Sequence, residues 1–168
     1  MSVQRYQVKF TRAKWLRLWR RPNVEKWLAL QSLVLSLLSV IALRLIGFRR
    51  WKRILWISSG GRHLAATTFS RGDVSFAEAH ASVVDMVARN IPWGLVTCLP
   101  RSLTLWWLLR RHGIESEFRI GVRRDGERIV AHAWVVCHDT VIGETNASSS
   151  CRSKWQHFDI DVAPTGRP

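Results

Sequence analysis

Apolar residues recur at helical spacing through the first two thirds of the chain and at strand spacing after that. Residues 27–43 carry no charge. Within and just beyond them Leu30, Val34, Leu37, Leu38, Ile41 and Leu45 populate one side of a helix, while Ser32, Ser36 and Ser39 follow helical spacing on the other. That spacing predicts a helix over about 24–45, capped by Asn23. Before it, Lys14, Arg17 and Arg21 and the set Trp15, Leu18 and Trp19 allow a short helix that Pro22 ends or kinks. Gly47 and the cluster Arg49, Arg50, Lys52, Arg53 close this region, and 58–61 reads as a loop. A helix over 76–91 is expected, with Ser75 as N-cap and Glu78 in the capping-box position. After a break at 90–94, 97–112 reads as a further helix closed by Gly113. The period then falls to two over 117–123, 128–137 and 140–144, with Asp125-Gly126 as a turn. Helices first and a small antiparallel sheet after predict an α+β fold.

The uncharged helix could be read as a membrane span. Its 17 uncharged residues, however, reach only about 25 Å against roughly 30 Å of bilayer hydrocarbon, and a serine row marks one side. A helix packed on a domain or a partner is the favoured reading, with membrane association the lesser alternative. A secretory signal fits badly: the basic region before it is too long and no small-residue cleavage site follows.

Charge sharpens this division. Residues 1–53 hold 13 basic residues and one acid, a net +12, whereas 54–168 hold 13 basic and 11 acidic, a net +2. The basic, apolar region 1–56 is therefore expected to dock a partner, and 57–168 to form the working domain. Interleaved Arg and Trp could stack on bases, but no helix-turn-helix, zinc-finger or RNA-binding signature is present, so no nucleic-acid partner is expected. Three cysteines are too few and too odd in number for a disulfide framework and suit a reducing, cytoplasmic setting.

The candidate chemistry centres on Cys98. It begins a predicted helix, with Thr97 as N-cap and Pro100 in the first turn, where a missing N–H costs nothing. The positive end of the helix dipole and the unpaired N–H groups there favour thiolate over thiol. About 34 residues on, His132 lies on a strand whose period places it on one face with Val130, Trp134 and Val136. An imidazole so placed can take the thiol proton and later protonate a leaving amine. An orienting acid depends on the next turn. A three-residue loop at 137–139 would set Glu144 opposite His132, and a two-residue loop at 138–139 would set Thr145 there. Asp139 is the competing acid. Cys137, Cys151 and His157 offer no CxxC pair for zinc, and adjacent Cys137 and His138 point to opposite faces of a strand. No metal, cofactor or phosphate loop is expected.

The run from Cys98 to Glu144, "CLPRSLTLWWLLRRHGIESEFRIGVRRDGERIVAHAWVVCHDTVIGE", resembles the transglutaminase-like cysteine proteases of lasso-peptide biosynthesis, which act as leader peptidases. The matching motifs are Cys-Leu-x-Arg-Ser-Leu, Leu-Leu-Arg-Arg-x-Gly-Ile, Ile-Gly-Val-Arg and Ala-His-Ala-Trp-Val. The resemblance implies a papain/transglutaminase-like core with a helical N-terminal extension. It implies a Cys98–His132 dyad with its third member twelve residues after the histidine, at Glu144. It also implies partners: a precursor peptide as substrate, a separate leader-recognition protein and an ATP-dependent lasso cyclase. A transglutaminase-like acyl transferase and a non-catalytic basic adaptor are the alternative functions. The uncharged helix and its basic flanks are expected to dock one of these partners rather than to span a membrane.

Overall fold

The computed structural model describes residues 23–60, 71–91, 95–125, 127–143 and 156–158. The short helix expected before Pro22, Glu144, the loop at 148–150, Cys151 and the C-terminal tail lie outside these residues. Four helices come first, α1 (Asn23–Leu45), α2 (Phe48–Ser58), α3 (Arg71–Asn90) and α4 (Cys98–Arg111). The strands β1 (Glu117–Asp125), β2 (Arg128–Cys137), β3 (Thr140–Ile142) and β4 (Gln156–Phe158) follow. They form one antiparallel sheet in the order β3-β2-β1-β4. This is the α+β arrangement that the change of period predicts.

Helix α4 is the centre of the molecule. Leu103, Leu105, Trp106, Leu108 and Leu109 are all buried, and the helix packs against α1, α3 and β2 together. Gly113 ends it at a φ of 78°. The N–H of Gly113 returns to the Arg110 carbonyl and that of Ile114 to the Leu109 carbonyl, both at 3.0 Å, as a left-handed glycine cap allows.

Three elements differ from the sequence reading. Helix α2 stands where the sequence suggests only the close of the preceding region, because its run of cations masks the apolar spacing of Phe48, Trp51 and Leu55. Leu55 is buried, and one cation of this helix, Lys52, together with Arg110 of α4, packs against aromatic rings. Lys52 Nζ lies 5.6 Å from the Phe118 ring centre, and the Arg110 guanidinium lies 3.8 Å from that of Trp56. Helix α3 begins at Arg71, so Ser75 lies within it rather than capping it, and Asp73 supplies the first-turn negative charge. Strand β4 has no counterpart in the sequence pattern. Its three residues show too short a pattern to register alone, and they form a strand by pairing with Ile120–Val122 of β1.

The turn between β2 and β3 decides a register left open above. Cys137 pairs with Thr140 and Val135 with Ile142, so the loop holds two residues, His138 and Asp139. Both have positive φ, 46° and 62°, the geometry of a type I′ hairpin, whose twist matches that of its strands. Of the two alternatives the structure has the two-residue loop, so Glu144 loses the cross-strand argument that would set it opposite His132.

Candidate active site

Cys98 is the first residue of α4. Thr97 precedes it with extended backbone (φ −78°, ψ −176°), and its hydroxyl makes no capping bond, so Thr97 caps by position only. The first-turn N–H groups are thus left to other acceptors. Pro100 sits in this turn and is buried, supplying the fixed φ of a helix start without an N–H to satisfy. Cys98 itself is half-buried.

The structure brings Cys98 and His132 together. A hydrogen bond from the imidazole to the sulfur is the main cause that holds the Cys98 thiol below the usual thiol range. Partial burial opposes this. The N–H groups of Ala133 and Leu99 and the charge on His132 add to the lowering. The thiolate therefore has donors from three directions: its own helix turn, the strand backbone and the imidazole. The His132 ring stacks on Trp134, with ring centres 5.9 Å apart and 19° between planes, which puts both on one face as the period of two predicts.

One side chain missing from the sequence reading ties nucleophile to base. Ser102 lies one helical turn after Cys98, and its Oγ donates to the Ala133 carbonyl at 2.8 Å in a buried setting. The helix that carries Cys98 is thus pinned to the residue that follows His132. Its signal was in the motif Cys-Leu-x-Arg-Ser-Leu: a serine four residues after the cysteine, inside an otherwise apolar helix.

Arg101 of the same motif reaches the other way. Its Nε meets Asp85 of α3 at 3.0 Å, and its Nη2 donates to the Gly143 carbonyl at 3.1 Å. The Gly143 N–H in turn donates to both carboxylate oxygens of Glu78 at 3.4 Å. Glu78, expected to close a capping box, instead binds a backbone group 65 residues away. Gly143 has a φ of 74°, and a Cβ there would stand 2.9 Å from the Ala81 methyl, so only glycine fits. The clamp fixes the backbone immediately before Glu144, the third site residue named by sequence, which lies outside the described residues.

The second described cysteine behaves differently. Cys137 is fully buried, and that burial, with the negative charges of Asp73 and Glu115, pushes its thiol up. Among the described residues no three His, Cys, Asp or Glu side chains converge as metal ligands. A cavity of about 510 Å³, lined by Trp27, Phe76, His80, Met86 and His112 among others, includes neither Cys98 nor His132. It reaches His112, at the opposite end of α4 from Cys98.

The class set by this geometry is an α+β protein with a half-buried cysteine at a helix N-terminus paired to a strand histidine. A family model described as the transglutaminase-like superfamily matches residues 40–155, a span that holds both. The chain belongs to the transglutaminase-like superfamily, whose members are generally enzymes, cysteine peptidases or acyl transferases. Neither the curated proteins nor the solved structures give a match to this chain.

Proposed function

We propose that this protein is a cysteine endopeptidase that removes the leader from a lasso-peptide precursor, with a papain-like order of steps. The observation that carries the peptidase reading is the Cys98 thiol held below its usual range by a hydrogen bond from His132. The lasso assignment is supported by the motifs between Cys98 and Glu144, of which Arg101 and Ser102 have structural duties beside the nucleophile.

The Cys98 thiolate attacks the scissile carbonyl carbon, and the carbonyl π electrons move to oxygen. In this reading backbone N–H groups near Cys98, at the start of α4, receive that oxyanion. When the tetrahedral species collapses, the C–N bond breaks and imidazolium His132 gives its proton to the leaving amine. Water then attacks the thioester while His132 accepts a proton, and the thiolate departs, restoring the starting pair. Glu144, twelve residues after His132, takes the role of orienting the imidazole in this reading. Residues 57–168 carry the chemistry. A separate recognition protein delivers the precursor, and an ATP-dependent cyclase uses the product.

The test is cleavage of the precursor followed by mass spectrometry, with the recognition protein supplied. Cys98→Ala and His132→Ala should each abolish cleavage, because nucleophile and base act as a unit. A product carrying an added amine in place of water would move the assignment to acyl transfer. An intact precursor with the wild-type chain and its recognition partner would overturn the leader-peptidase reading.

A further inference from the structure

Helix α1 is built inside out. Ser32, Ser36 and Ser39 are fully buried, whereas Trp27, Leu30, Val34, Leu38, Ile41 and Leu45 lie between 48% and 78% exposed. The serines are satisfied inward. Ser32 Oγ donates to the Leu28 carbonyl at 2.8 Å, and Ser39 Oγ accepts from Trp51 Nε1 at 3.1 Å. Ser36 Oγ meets Thr104 Oγ1 at 3.2 Å. Thr104 already gives its proton to the Pro100 carbonyl, so Ser36 is the donor of that bond. The outward stripe runs about 27 Å, at 1.5 Å per residue, with no charged side chain between Lys26 and Arg44.

An exposed apolar stripe of this length marks a binding surface. Its chemistry selects the occupant. A specific protein interface carries polar groups that fix the partner's register, about one hydrogen bond per 100–200 Å², and this stripe presents hydrocarbon along most of its length, with the half-buried Gln31 at its margin. Hydrocarbon needs no such groups. The stripe is bracketed by cations: Lys26 at one end, and Arg44, Arg49, Arg50 and Arg53, all exposed, at the other. Trp27, 62% exposed, stands at the Lys26 end, a side chain suited to the headgroup level. On α2, Ile54 and Ile57 are exposed on the face they share with Arg50 and Arg53. Apolar side chains flanked by arginine and lysine match an anionic lipid surface.

The same packing decides between lying on a bilayer and crossing it. The 17 uncharged residues alone fall short of a bilayer, but the helical stretch Lys26–Leu45, 20 residues with a mean hydropathy of 2.0, is long and apolar enough to cross. Crossing would pull Leu35 and three buried serines off the domain and break the Ser36–Thr104 bond. We propose that the outward face of α1, with its bracketing cations, docks the protein on an anionic lipid bilayer, α1 lying in the membrane plane without spanning it.

The experiment is co-sedimentation of the full chain with phosphatidylglycerol vesicles and, separately, with phosphatidylcholine vesicles. Binding to the phosphatidylglycerol vesicles is expected, weakening as salt rises. The pair Leu30→Asp/Leu38→Asp should weaken it at least about a hundredfold, and Arg49→Glu/Arg50→Glu at least about tenfold. An unchanged rate of Cys98 alkylation shows that each variant is folded. The second pair carries the test if the first does not fold. Absence from the phosphatidylglycerol pellet, equal binding to both lipids, or resistance to carbonate extraction would each overturn the proposal. A dimer or a complex with a partner protein, lost in Leu30→Asp/Leu38→Asp while no vesicle binding is seen, would make this face a protein interface instead.

Discussion

In α4 the leucines point inward, and Leu103 and Leu109 have no exposed surface. In α1, which packs on α4, the serines point inward and Leu30, Val34 and Leu38 are each 48% exposed. Both helices are rich in leucine, yet in α1 only Leu35 is buried while most of the others keep a large exposed surface. The difference follows from what each face meets. Helix α4 is enclosed by α1, α3 and the sheet, so water is excluded around most of its circumference. Helix α1 has one packed side, where small serines let the helix approach closely and hydrogen-bond inward. The enclosed helix places a nucleophile rigidly at its tip. The half-covered helix keeps a large apolar surface available.

The largest effect expected from this contrast is at the tip of α4. Cys98 should alkylate with iodoacetamide at least about tenfold faster than Cys137 at neutral pH. A lowered thiol pKa leaves thiolate present as pH falls, so Cys98 labelling should persist well below the ordinary thiol midpoint of about 8.5. Cys137, pushed up by burial and nearby carboxylates, should label only above it. His132→Ala removes the main cause of the lowering and should move the Cys98 midpoint upward. Peptide mapping after short exposures across pH checks this, and equal labelling of both cysteines would remove the activated nucleophile.

The next effect compares leucine with leucine. Leu109→Ala opens a cavity in a closed core and should destabilise by about 2–5 kcal/mol. Leu38→Ala removes half-exposed surface and should change stability by less than about 0.5 kcal/mol. Urea unfolding with both variants sharpens the comparison, and similar losses would mean that the outer face of α1 is covered in solution.

The smallest effect lies where the two helices meet. Ser36→Ala deletes the buried bond to Thr104, while Thr104 keeps its bond to the Pro100 carbonyl, so no donor is orphaned. A loss of about 0.5–1.5 kcal/mol is expected by the same unfolding measurement. A gain in stability would show that α1 needs closeness here rather than the hydrogen bond.

Local spacing alone carried much of this protein. The shift from helical to strand period, the glycine stop at Gly113, the cysteine at a helix start and the histidine on a strand all depend on neighbours in the chain, which sequence displays directly. The motif residues Arg101 and Ser102 were visible too, although not their duties. Those duties were decided by tertiary structure, because they join groups distant in sequence: Ser102 to the Ala133 carbonyl, Arg101 to Gly143, and Glu78 to the Gly143 N–H. The β2–β3 register needed the observed turn, since one residue more or less moves every partner to the other face. The cations of α2 mask its apolar spacing in the sequence, and only the tertiary structure puts Lys52 beside the Phe118 ring and Trp56 beneath Arg110 of α4. The direction in which α1 faces could not come from its composition, because hydropathy counts leucines and serines but not which side the rest of the molecule covers.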